Sequence, residues 1–93
     1  MRELVLTPKF KRDYRKFVKR DKSLQRHIDE VLAKMSHDIF ASHLGTHKLS
    51  GDLMGLWACS CGYDCRIVFV LETDDKGQEV ILLLDIGTHD EVY

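Results

Sequence analysis

The chain has 93 residues, 44% hydrophobic and 31% charged, with one proline, six glycines and no low-complexity stretch. This is enough for one core, so residues 1–93 are expected to form a single ordered domain. No apolar run is long enough to span a bilayer, and Met1-Arg2-Glu3-Leu4-Val5-Leu6 lacks a signal-peptide core before charges resume at Lys9, so no membrane role is expected and the cytoplasm is the expected location.

The net charge of −1 is unpromising for a nucleic-acid partner, but it hides a polarity: residues 1–48 hold 12 Lys/Arg against 6 Asp/Glu, and residues 49–93 hold 2 against 9. The front half can face phosphates, or the two halves can neutralise each other in the fold.

Glu3 to Thr7 is β-prone and ends at Thr7-Pro8, where proline suits a first helical turn and threonine an N-cap. From Pro8 to Arg20 the apolar residues Phe10, Tyr14, Phe17 and Val18 share one helical face, and the remaining face carries Lys9, Lys11, Arg12, Arg15, Lys16, Lys19 and Arg20. A second helix is expected from Ser23 to about Met35, where Leu24, Ile28, Val31, Leu32 and Met35 recur at helical spacing. Residues 36–49 read as a loop carrying His37, His43 and His47. Three strands should follow, Leu53 to Ser60, Arg66 to Glu72 and Glu79 to Ile86, joined by Gly62-Tyr63-Asp64 and Asp74-Asp75-Lys76-Gly77 as an antiparallel meander. Val80-Ile81-Leu82-Leu83-Leu84 is apolar throughout, as for a strand covered on both faces or flanked by neighbours.

Cys59, Cys61 and Cys65 are odd in number, which argues against a secreted disulfide framework. Their spacing lacks the paired Cys-x-x-Cys of zinc sites, so they are read as reduced thiols beside a hairpin, with no metal expected.

No P-loop, Gly-x-Gly-x-x-Gly turn, Gly-x-Ser-x-Gly elbow or His-Glu-x-x-His helix is present, which removes the common nucleotide-binding, serine-hydrolase and zinc-protease readings. His43, His47, Lys48, Arg66 and His89 remain as groups able to act on a phosphodiester. RNA cleavage through the 2′-hydroxyl calls for a base, a cation and an acid. Histidine titrates near neutral pH and suits the proton transfers, while arginine's planar fork matches two phosphate oxygens. Taken singly, each has a plain reading as a solvated surface group, and His27 and His37 are assigned that role. Arg66 is least easily dismissed, since it heads the apolar run Ile67-Val68-Phe69-Val70-Leu71 and must find solvent or a partner. Asp64 is either that partner or a turn residue, with the turn reading better supported.

The stretch His47-Lys48-Leu49-Ser50-Gly51-Asp52-Leu53-Met54-Gly55-Leu56-Trp57, followed by Cys61-Gly62-Tyr63-Asp64-Cys65-Arg66-Ile67-Val68-Phe69 and the ending Gly87-Thr88-His89-Asp90-Glu91-Val92-Tyr93, resembles the RelE/ParE toxin superfamily, and within it the YafQ-like branch. The resemblance spans nearly the whole chain. It implies an α+β fold of the microbial ribonuclease type, β-α-α-β-β-β, with a helical hairpin packed on an antiparallel sheet. It also implies a type II toxin that cleaves mRNA on the ribosome without cofactor and is neutralised by a cognate antitoxin.

By position, the resemblance makes His89 the C-terminal catalytic histidine and candidate general acid, and His47 a candidate base or phosphate ligand. Asp64 becomes the acidic residue that orients a histidine or substrate, Arg66 the cation that stabilises the phosphorane, and Tyr93 the terminal aromatic. Lys48, Tyr93, Lys11 and Arg15 are the expected RNA contacts. Some YafQ-like proteins carry a further histidine in the strand before the aspartate, where this chain has Ala58-Cys59-Ser60-Cys61, so the division of acid and base roles stays open. The rival readings are a ParE-like toxin that inhibits DNA gyrase by binding, and a regulatory partner without activity.

Overall fold

The computed structural model describes residues 2–93. Strand β1 (Glu3–Leu6) leads to helices α1 (Pro8–Arg20) and α2 (Lys22–His37), and after a loop come β2 (His47–Lys48), β3 (Trp57–Ser60), β4 (Arg66–Thr73), β5 (Glu79–Gly87) and a terminal helix α3 (His89–Val92). Thr7 caps α1: its hydroxyl accepts from Phe10 N at 3.2 Å and donates to Leu83 O at 2.8 Å, so the cap also ties the helix to the sheet. Asp21 caps α2 by accepting from the amides of Ser23 and Leu24.

The sheet order is β1-β5-β4-β3-β2. β2 to β5 form the expected antiparallel meander, whereas β1 pairs with β5 in parallel, because the chain crosses the sheet through the helical hairpin before returning. β5 thus lies between β1 and β4. Its run of apolar residues reflects these neighbours, with Leu82 and Leu84 only half-buried on the side away from the helices.

Both helices cover one face of the sheet. Phe10 and Phe17 of α1 and Ile28, Val31 and Met35 of α2 pack on Cys59, Ile67, Phe69, Ile81 and Leu83. Among the described residues no polar or charged side chain is buried, so, the Cys59 thiol apart, every titratable group that could act chemically is at or near the surface.

Three sequence expectations change. The strand expected from Leu53 begins only at Trp57: Gly51–Leu53 forms a 3-10 turn, and Gly55 at φ 94° redirects the chain. The loop expected at 36–49 contains a 3-10 turn at Ser42–Leu44 and ends in the short edge strand His47–Lys48. The cysteines are not three reduced thiols. Cys61 and Cys65 are joined as a disulfide across the β3–β4 turn, their Cα atoms 4.9 Å apart, and Cys59 alone remains a thiol. The tight turn folds the two positions onto one another, a proximity that spacing alone does not reveal.

Candidate active site

Strand alternation decides which side chains can meet. Cys59 lies against Met35 of α2, sulfur to sulfur 3.7 Å, so its neighbour Ser60 faces away from the helices, as does Arg66, which pairs with Ser60 across the ladder. On its other side Arg66 pairs with Gly87, two residues before His89. The arginine therefore sits where β3, β4 and the end of β5 converge.

The guanidinium is anchored through one nitrogen. Nη1 donates to Cys65 O at 2.9 Å, Gly62 O at 3.4 Å and Ser60 Oγ at 3.5 Å. The remaining donors of the fork are left for a ligand.

Asp64 occupies a left-handed turn position at φ 52°, a conformation aspartate tolerates better than most residues. Its Oδ1 accepts from the backbone N–H of His89 at 3.1 Å, the first residue of α3. Asp64 is thus a turn residue that positions His89 through its backbone. α3 is closed by a capping box: Glu91 Oε1 accepts from Thr88 N at 2.9 Å, and Thr88 Oγ1 accepts from Glu91 N at 3.3 Å. These bonds hold the Glu91 carboxyl below the usual glutamate value, chiefly through the Thr88 backbone N–H, and Arg20 of α1 adds to the effect from 3.6 Å.

The His89 imidazole meets the Tyr93 ring edge-on, centroids 4.6 Å apart, and Asp90 Oδ1 lies 3.5 Å from its Nδ1. Partial burial raises the Tyr93 hydroxyl, and the nearby charge of Arg66 opposes that shift. Arg66, Asp64, His89 and Tyr93 thus form one surface patch at one end of the sheet.

His47 shares the Arg66 face, because it pairs with Ala58, two residues before Ser60. Two strand spacings and two residue steps put its Cα about 12 Å from that of Arg66. Its Nδ1 donates to Gly45 O at 2.9 Å. A carbonyl only accepts, so Nδ1 is the donor in this contact, and in the neutral ring Nε2 is the nitrogen with the free lone pair.

Lys48 points the other way, its ammonium 5.4 Å from the centre of the Trp57 ring, so the structure separates it from Arg66. Lys11 and Arg15 are exposed on α1, but on the side of that helix away from β5. Lys9, Asp13, Lys16 and Arg20 form the stripe beside β5, lining a groove of about 310 Å³ with Asp85 and Glu91. Lys9 bridges Asp13 at 2.6 Å and Asp85 at 3.0 Å, which occupies its charge.

Two residues near the patch were given no site role by the sequence: His27, read as a solvated surface group, and Tyr63, read only as part of a turn. An ideal Cβ on Gly62 would lie 3.2 Å from the His27 ring, so α2 brings that imidazole against the turn carrying Asp64. Tyr63, at the tip of the same turn, is wholly exposed. Nothing in the local sequence around His27 signals a contact that exists only through the packing of α2 on β3. Among the described residues, no three His, Cys, Asp or Glu side chains gather as a metal site.

The family model for YafQ, described as the bacterial toxin of a type II toxin-antitoxin system, matches residues 2–93. The chain belongs to the YafQ toxin family. Solved structures share the fold. A YoeB/ParE toxin from Agrobacterium tumefaciens superposes with a TM-score of 0.75 at 20% identity, covering 94% of this chain and 98% of that one. YafQ from E. coli strain BL21(DE3) does so with a TM-score of 0.71 at 15% identity, covering 100% and 99%. A YoeB-YefM complex from Staphylococcus aureus gives 0.69 at 20%, covering 96% and 98%. No curated protein matches the chain by sequence. As in these YafQ-type and YoeB-type toxins, the helices of this chain pack on a mixed five-stranded sheet.

Proposed function

We propose that this YafQ-family toxin is a ribosome-dependent mRNA endoribonuclease that cleaves through the 2′-hydroxyl without metal or cofactor. The observation carrying the proposal is the convergence of Arg66, Asp64, His89 and Tyr93 on one patch, with His47 on the same face. His47 Nε2 takes the 2′-hydroxyl proton when the ring is neutral, since its Nδ1–H is committed to Gly45 O and Nε2 then carries the free lone pair. Arg66 presents its free edge to the non-bridging oxygens as negative charge builds on phosphorus, its other edge already fixed to the turn. His89 delivers a proton to the departing 5′-oxygen. Asp64 fixes the start of α3 and thereby the place of that imidazole. Tyr93 backs the His89 ring and keeps its hydroxyl protonated at neutral pH.

The partner in the resting cell is a cognate antitoxin, as YoeB has in its complex with YefM. The substrate is mRNA in the ribosome. No described helix is long and apolar enough to cross a membrane.

Translating ribosomes incubated with the protein, followed by primer extension on the mRNA and a parallel gyrase supercoiling assay, test the reading. Cleavage products without gyrase inhibition are expected. Gyrase inhibition without cleavage replaces the nuclease with the ParE-like alternative.

A further inference from the structure

Tyr63 is fully exposed, with 103% of its reference surface open to solvent. An exposed aromatic alone is unremarkable on a protein surface. What sets this one apart is how firmly its backbone is held. The Cys61–Cys65 disulfide closes the turn beneath it. Cys61 N donates to Cys65 O at 2.9 Å and Cys65 N to Gly62 O at 3.3 Å inside that ring. Gly62 at φ 127° and Asp64 at φ 52° flank Tyr63 and turn it outward, a pair of positive-φ positions that fixes the direction of the side chain leaving between them. Arg66 clamps the same turn from one side and the Asp64 bond to α3 from another. The backbone that carries the ring is thus fixed, leaving the side chain only its own two torsions to settle, one residue before Asp64 of the patch assigned to the chemistry.

We propose that Tyr63 is a specificity-determining residue that stacks the mRNA base beside the scissile phosphate; this rests on the endoribonuclease reading. The surroundings favour a nucleobase. A protein anchor sits in a ring of apolar residues that excludes water, whereas Tyr63 is bracketed by Gly62 and the exposed carboxylate of Asp64, with a guanidinium two residues beyond. Those neighbours match what accompanies a base: hydrogen-bonding groups for its edge and a cation for its phosphate. Tyr93 supplies a second ring at the patch, but it is 40% exposed and its edge contact commits it to His89. Tyr63 is free of such duty. It needs no hydroxyl partner in this role, only a flat π-face.

The test is ribosome-dependent cleavage by wild type, Tyr63→Phe, Tyr63→Leu and Tyr63→Ala, each checked by far-ultraviolet circular dichroism and thermal melting as a measure of folding. kcat, KM and the positions of cleavage are read by primer extension. Tyr63→Ala and Tyr63→Leu should lower kcat/KM about tenfold, the order that base–aromatic stacking supports, and spread cleavage over more positions. Tyr63→Phe should stay within about twofold of wild type with an unchanged pattern. Unchanged rate and pattern in Tyr63→Ala overturns the inference while leaving the nuclease intact. Equal loss in Tyr63→Phe and Tyr63→Ala also overturns it, since the hydroxyl would then be the working group. Weaker binding to empty and mRNA-loaded ribosomes alike, with cleavage positions unchanged, replaces the mRNA base with a ribosome contact. Absence of cleavage by wild type would instead sink the nuclease reading, and this inference with it.

Discussion

Asp64 Oδ1 accepts the backbone N–H of His89 at 3.1 Å, across 25 residues of sequence. A left-handed turn residue on one hairpin thereby fixes the first residue of the C-terminal helix. The bond is exposed, and its worth to global stability is about 1 kcal/mol. Its worth to the site is larger, because it sets where the His89 imidazole stands. Asp64→Asn keeps an acceptor and tolerates φ 52°, whereas Asp64→Ala loses the acceptor and strains the backbone. Asp64→Ala is expected to reduce ribosome-dependent cleavage by more than tenfold and to lower stability by about 1–2 kcal/mol in urea titrations. Asp64→Asn should fall between it and wild type on both measures. Equal activity in all three proteins would remove Asp64 from the site.

Arg66 can be separated from its structural surroundings. The carbonyls it holds have other donors: Cys61 N bonds Cys65 O, and Gly62 O also accepts from Cys65 N and Ser60 Oγ. Removing the guanidinium orphans no buried group, so Arg66→Ala should melt within a few degrees of wild type while cleavage falls about a hundredfold. Arg66→Lys keeps the charge but cannot hold the turn and grip two phosphate oxygens with one ammonium, so it should recover little of the loss. Full rescue by lysine would show that charge alone suffices.

Acid should loosen α3 before the rest of the fold. The Glu91 carboxyl is held below its ordinary value of 4.5 by the Thr88 amide first, with Arg20 adding to it. A depressed carboxyl contributes its stabilisation fully above the unfolded value, and the contribution is lost as pH falls through the folded one. Amide exchange at residues 88–93 should therefore accelerate below about pH 4.5 while the β4–β5 ladder stays protected. In Glu91→Gln that acid step should be missing.

The cysteines give a chemical check on the fold. Unfolded without reductant, the protein should take up one equivalent of iodoacetamide, at Cys59, and three after reduction. In the native state even Cys59 should react slowly, since it is fully buried and burial pushes its thiol up to about 12. A disulfide closing so short a loop contributes about 2 kcal/mol in the chain-entropy account, so reduction should lower the melting temperature by roughly 10 °C. Three reactive thiols in the unreduced protein would restore the sequence expectation.

Much of this was legible in the residues because it is local. Thr7-Pro8 marks the start of α1, and helical spacing of Leu24, Ile28 and Val31 marks α2. Two turn signals separate the last three strands. The likeness of the Arg66 and His89 segments to known toxins supplied their candidate roles, and the register sets Arg66 opposite Gly87, two residues before His89. What sequence could not give is set by pairing and packing. His47 and Lys48 are neighbours in the chain, yet alternation on β2 sends them to opposite faces. His27 meets Gly62 only because α2 crosses the end of β3, and Cys61 meets Cys65 only because the turn closes tightly.

The basic helix offers the last prediction, because cations lie on two of its flanks. Sequence reasoning put RNA contacts at Lys11 and Arg15, which are exposed on the flank away from β5. Lys16 and Arg20 lie on the opposite flank, in the groove shared with Asp85 and Glu91, and Arg20 reaches α3 itself at 3.6 Å. Through the Arg20–Glu91 contact this pair, and not Lys11 and Arg15, adjoins the α3 end of the patch. The double variant Lys16→Ala/Arg20→Ala should therefore weaken ribosome binding more than Lys11→Ala/Arg15→Ala at low salt. Each lost phosphate contact should reduce the slope of log K against log salt by about 0.7–0.9. The difference between the two variants should shrink as salt rises and the field is screened. A larger loss from the Lys11 and Arg15 pair would mean that the ribosome grips the outer flank of the helix, and a salt-independent loss would mean that neither pair meets phosphate.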